Sequence, residues 1–227
     1  MGKQKPRGSS TTRRRSARRQ SLERLLILCE GDKTEPDYFE RLRREYRLPS
    51  ADIKIIPDAG GGAAKSIVKE ARRLQKNNQK EHRKTGEPLY DEIWCIFDSE
   101  DPHHNPGIYD AIKQANTHGF HIGLSVPCFE YWILLHYTSD QRPYRNCTQV
   151  LNRLQAVAPA YGKANIDFDA LKPSLRDAIQ RARTGLKSLD IDETSPCCAA
   201  DLQANPSTRA HLLTEKLIKL GEDFTPY

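Results

Sequence analysis

The sequence predicts an α/β fold: a mostly parallel sheet of four strands flanked by helices, followed by a helical C-terminal part. Two observations carry this. Short apolar runs alternate with helix-like segments from residue 25 to about residue 137, and beyond that the apolar positions recur only at helical spacing. The chain divides accordingly into a basic tail at 1–23, an α/β core at 24–137 and a helical part at 138–227 packed on the core.

Leu25 to Cys29 is a continuous apolar run of strand length and reads as a buried first strand. Thr34 opens a helix to about Arg47, with Thr34 and Asp37 at capping-box spacing and Pro36 tolerated in the first turn. Ile53 to Ile56 forms the second strand, Ala63 to about Gln75 the next helix, and the polar stretch Lys76 to Pro88 a loop. Glu92 to Phe97 is the third strand, Pro106 to Thr117 a helix ending near Gly119, and Phe120 to Ser125 the fourth strand. Phe129 to Tyr137 is almost continuously apolar; Pro127 before it and the lack of alternation predict a helix. Thr148 to Ala156, Leu171 to Leu189 and Ser207 to Leu220 are periodic and helical, with Asn205, Pro206 and Ser207 offering an N-cap for the last.

At 227 residues and 37% hydrophobic, the chain can bury one full-sized core. No apolar run approaches the roughly 20 residues that cross a bilayer, and the basic N-terminus lacks the apolar stretch of a secretory signal. Six cysteines without a CxxC pair read as reduced thiols of a cytoplasmic protein. The net charge of +6 is unevenly placed: residues 1–24 hold nine of the 36 Lys and Arg and one acid, leaving 27 basic against 29 acidic residues in the remainder. Lys3, Lys5, Arg7, Arg13, Arg14, Arg15, Arg18 and Arg19 stand among Ser and Thr in a segment too polar to bury anything. That tail is either a phosphate-seeking arm for nucleic acid or a solubilising extension.

Three places could carry chemistry. Glu30 ends the first strand and is followed by Gly31; in open parallel sheets ligands bind beyond the carboxyl ends of strands, although a loop carboxylate is the plain alternative. Glu35, in the first helical turn, is accounted for by the helix dipole and is a secondary candidate. At the end of the third strand Asp98, Glu100 and Asp101 crowd within four residues. Asp98 and Glu100 alternate, so an extended backbone puts both on one side, about 7 Å apart, close enough to share a hard cation such as magnesium. His103 and His104 beside them are potential ligands or a general base, or plain loop residues. Glu130 lies in an otherwise apolar segment after the fourth strand, where a carboxylate is costly unless paired or metal-bound. His136 reads as a core histidine, and Cys128 has no evident histidine partner. Gly60 to Ser66 fails the phosphate-loop pattern because Ala64 stands where Gly is required.

Taken together, Cys-Glu-Gly-Asp-Lys-Thr-Glu-Pro-Asp-Tyr-Phe at 29–39, Phe-Asp-Ser-Glu-Asp at 97–101 and Ser-Val-Pro-Cys-Phe-Glu-Tyr-Trp-Ile-Leu-Leu-His-Tyr at 125–137 resemble the RloB family of prokaryotes. Asn205-Pro-Ser-Thr-Arg-Ala-His211 is similar to that family's closing segment, and Tyr161-Gly-Lys163 to its short Tyr-x-Lys piece. The resemblance implies a Toprim-like domain related to the nuclease module of OLD-type proteins, encoded beside an ATPase of AAA or ABC type in phage-defence loci. Toprim sites pair a Glu after strand one with DxD after strand three, which corresponds to Glu30 and to Asp98 with Glu100; here Glu100 replaces the second Asp and Val126 replaces the family's Asn. Asp101 offers a compensating ligand. The implied activity is metal-dependent phosphodiester hydrolysis of DNA or of RNA such as tRNA. In it Asp98, Glu100, Asp101 and Glu130 would hold Mg2+ or Mn2+, Glu30 would act as ligand or general acid/base, and Lys163 would face the transition-state charge. The alternative is a non-catalytic nucleic-acid-binding adaptor of an ATPase complex. Oligomeric state is not legible.

Overall fold

The computed structural model describes residues 23–50, 52–59, 61, 63–99, 107–162 and 166–224. Five strands form one sheet in the order β2-β1-β3-β4-β5. They are β1 (Leu25–Cys29), β2 (Ile53–Ile56), β3 (Glu92–Asp98), β4 (His121–Val126) and β5 (Ser207–Thr208). The first four are parallel; β5 runs antiparallel to the edge of β4, with Ser125 opposite Thr208.

Alternation along β1 sets the layers, because successive side chains leave a strand on opposite faces. Leu25, Ile27 and Cys29 join one core with Tyr38, Phe39 and Leu42 of α1 (Thr34–Glu45), Phe129 and Trp132, and Leu213 and Leu217 of α8 (Ala210–Phe224). Leu26 and Leu28 join the other with Ile67, Val68 and Ala71 of α2 (Ala64–Thr85) and Ile108, Ala111 and Ile112 of α3 (Ile108–Thr117). The sheet is thus covered on both faces, as parallel sheets require. Between β4 and α8 the chain forms α4 (Glu130–Leu134), α5 (Cys147–Val157), α6 (Phe168–Leu171) and α7 (Leu175–Ser188), most of whose buried side chains extend the first core.

Four expectations are corrected. α2 does not stop near Gln75 but runs to Thr85, where Gly86 closes it at φ +76°. Lys76–Thr85 contains neither Gly nor Pro and is rich in strong helix formers, so propensity and local pairs such as Lys84–Glu81 hold a helix that has no apolar face to bury. The capping box at Thr34 does not form: Lys33 is the N-cap residue, with no side-chain bond. Ser207 is not an N-cap but part of β5, and the Ala210 N–H is instead satisfied by Thr208 Oγ1 at 3.1 Å. The fifth strand was hidden because its two residues carry no period of their own. Finally, the cysteines are not all thiols. Cys128 and Cys147 form a disulfide across a Cα–Cα distance of 5.6 Å, while Cys29, Cys95, Cys197 and Cys198 are free. No helix among the described residues is long and apolar enough to cross a membrane.

Candidate functional site

In the order β2-β1-β3-β4, the connection leaving β1 runs to one side of it and the next strand returns on the other. The crevice beyond the carboxyl ends of β1 and β3 is therefore the topological switch point, where open α/β sheets bind ligands. Glu30 and Asp98 occupy that point. The Glu30 N–H continues the ladder to Ile96 O at 3.0 Å, and its side chain reaches across so that Oε2 accepts the Asp98 backbone N–H at 2.9 Å. Both residues are half-buried. A carboxylate held by a backbone N–H is fixed in direction. After Asp98 the buried Ser99 stays on the sheet, its N–H bonded to Ser125 O at 2.8 Å.

Glu35 is buried at 6% exposure, so it is more than a solvated charge at a helix start. Its carboxylate lies over Gly31 so closely that a Cβ added there would stand 2.2 Å from Oε2. The buried Cys29 thiol records it: burial first and then the Glu35 charge push that thiol well above its usual range. The burial of Glu35 was not legible in the sequence because first-turn acids are common and usually solvated.

Glu130 opens α4 immediately after the β4 end and is 3% exposed. Its Oε2 lies 3.2 Å from Cys147 Sγ, and Cys128, Glu130 and Cys147 present donor atoms all within 4.8 Å of one another. With the two sulfurs bonded to each other, neither is a thiolate ligand, so this trio does not suit a metal. Tyr161 brings the second rank of acids into relation. Burial, followed by the charge of Glu130, raises its hydroxyl pKa, and Glu35 adds to the rise. Glu130 and Glu35 thus both act electrostatically on one phenol.

His136 is a satisfied core residue, with Nδ1 3.0 Å from Trp132 O and Nε2 3.3 Å from Tyr38 Oη. Burial above all holds its pKa down at about 4, so it is neutral near neutral pH. Glu100, Asp101, His103 and Lys163 lie outside the described residues, as do Arg13, Arg14, Arg15, Arg18 and Arg19. Sequence reasoning missed the buried pair behind the β4 edge: Arg209 Nε meets Asp201 Oδ1 at 2.5 Å, and the guanidinium also donates to the carbonyls of Asp192, Glu193 and Ser195. Next to it His211 Nε2 lies 2.8 Å from Glu193 Oε2; that contact, reinforced by Arg183, holds the Glu193 carboxyl at about 2. The Asn-Pro-Ser-Thr-Arg-Ala-His segment is thus a fastener of the 192–201 loop to the sheet edge.

The chain is thus a three-layer α/β domain with two acidic residues, Glu30 and Asp98, at its switch point. The chain belongs to the RloB-like protein family, whose model matches residues 25–217. No curated protein and no solved structure matches it.

Proposed function

We propose that this chain is a magnesium- or manganese-dependent nuclease that hydrolyses phosphodiester bonds of RNA, such as tRNA, or of DNA, in prokaryotic phage defence alongside an AAA- or ABC-type ATPase. The observation that carries it is the Glu30–Asp98 contact at the β1/β3 switch point. Two acids from adjacent strands, one oriented by a backbone N–H, form the start of an all-oxygen donor set suited to Mg2+. RloB-like membership and the expected Toprim-like pairing of a Glu with an acid pair support the same reading.

In this reading Asp98 and Glu100 would hold the metal, with Asp101 and Glu130 as further carboxylates and Glu30 as ligand or proton carrier. The bound ion would supply Lewis-acid polarisation of the scissile phosphate and stabilise the departing oxygen. The chain's own residues do the positioning. The β1–β3 ladder fixes Glu30 against Asp98, and Gly31 lets Glu35 close over the turn. Burial, followed by the charge of Glu130, keeps the Tyr161 hydroxyl protonated. Incubating the full chain with labelled DNA, total RNA and tRNA, in Mg2+, Mn2+ or EDTA, tests the reading. Cleavage of one substrate that EDTA abolishes supports it. Binding without cleavage in any metal overturns it in favour of a non-catalytic adaptor.

A further inference from the structure

On the face of the sheet away from α8, helices α2 and α3 enclose a groove of about 730 Å³. Its α2 wall is a basic stripe: Lys65, Lys69, Arg72 and Lys76 follow one another at helical spacing, which puts them on one side of the helix. Gln114 and His118 form the α3 wall. Lys65 is paired with Asp110 at 3.1 Å, both well exposed. Among the described residues Lys69, Arg72 and Lys76 make no ion pair. The local potential is registered by His118, whose pKa is lowered by its burial and then by the charges of Arg72 and Lys76.

Direction matters as much as charge. α2 follows β2 and α3 follows the β3–α3 connection, so both helices start at the carboxyl end of the sheet and run back along it. The Lys65–Asp110 contact joins their first turns. The stripe therefore begins on the same rim as Glu30 and Asp98 and leads away from it. Arg73 also lines the groove but is neutralised by Glu70 through contacts of 2.7 and 2.6 Å, whereas the stripe's last three cations carry no such partner among the described residues.

We infer that the α2/α3 groove is a track for the phosphodiester backbone of a nucleic acid, with Lys69, Arg72 and Lys76 contacting successive phosphates and Gln114 and His118 donating hydrogen bonds. It rests on the nucleic-acid reading above for the identity of the polyanion, and its test is run without cleavage so that the two fail separately. Non-specific contacts of this kind release condensed counterions, so each lost contact flattens the dependence of log affinity on log salt by about 0.7 to 0.9.

The experiment measures anisotropy of a fluorescein-labelled single-stranded RNA and of a duplex DNA of equal length, across a salt series in EDTA. It compares the full wild-type chain, Lys69→Ala/Arg72→Ala/Lys76→Ala, and a charge-matched control, Lys54→Ala/Lys187→Ala/Lys219→Ala, drawn from exposed positions elsewhere. The groove variant is expected to bind at least one probe more weakly with a slope shallower by about 2 to 3, and the control to keep the wild-type slope. All replaced side chains reach solvent, and matching circular dichroism melts exclude unfolding. An unchanged slope in the groove variant, an equal loss in the control, or no binding by the wild type at low salt overturns the inference. Absence of cleavage in the metal assay leaves it standing.

Discussion

Asp201→Asn turns a buried ion pair into a buried cation. In the native fold the two side chains are only 2% and 5% exposed, and Asp201 serves two partners: Oδ1 meets Arg209 Nε at 2.5 Å and Oδ2 accepts the Cys198 N–H at 2.8 Å. The substitution conserves volume, so no cavity term enters. Removing one charge of a buried pair costs about 3 to 5 kcal/mol; the carbonyls of Asp192, Glu193 and Ser195 still solvate the guanidinium, which sets the expectation at the lower end, about 3 kcal/mol. For a domain of this size each kcal/mol moves the melting temperature by about 2 to 4 °C, so a drop of roughly 6 to 12 °C is expected. Urea unfolding with an unchanged m-value would locate the loss in stability and not in the denatured state. Replacing both partners, Asp201→Leu with Arg209→Met, should recover part of the loss. A single variant melting within about 1 °C of wild type, well under the shift for 1 kcal/mol, would refute the view that this pair fastens the 192–201 loop.

Two further outcomes are expected. His136 is held neutral with its pKa down at about 4 against an ordinary 6.5, so the unfolded chain binds the proton more readily. The stability His136 contributes is complete above the unfolded value and falls as pH drops towards 4; wild type should lose about 3 kcal/mol more than His136→Gln over that window in urea titrations, and equal losses would contradict the burial argument. Gly31→Ala places a methyl where Glu35 Oε2 now lies, and the displaced carboxylate should cost about 1 to 3 kcal/mol of unfolding free energy; a neutral variant would mean that Glu35 is not held over the turn.

The legible part of the fold was the part with a helical period or an unbroken apolar run. Leu25–Cys29 and Glu92–Asp98 are apolar runs bounded by polar residues, and buried parallel strands have no other way to look. What escaped detection lacked a period or depended on distant partners. Lys76–Thr85 is polar all round, so only propensity marked it as helix, and β5 is two residues long. The Cys128–Cys147 bond joins positions 19 apart, a spacing that distinguishes nothing until α4 and α5 are placed side by side. At the site, Glu30 and Asp98 were readable because strand ends are readable. The burial of Glu35 and the electrostatic link of Glu130 with Tyr161 depend on segments far apart in the chain, which no local pattern encodes.

Under the proposed nuclease reading, Asp98 would be a metal ligand at the switch point and not a structural acid. The most direct measurement compares wild type with Asp98→Asn for Mg2+-dependent cleavage of whichever nucleic acid the wild type cuts, alongside a melt of each. Asn keeps the volume and the backbone N–H that Glu30 holds. A ligand role for Asp98 predicts a loss beyond the about 10- to 100-fold that an outer-shell partner costs, with an unchanged melt in EDTA. Wild-type activity in Asp98→Asn, or a loss matched by a collapsed melt, would contradict it.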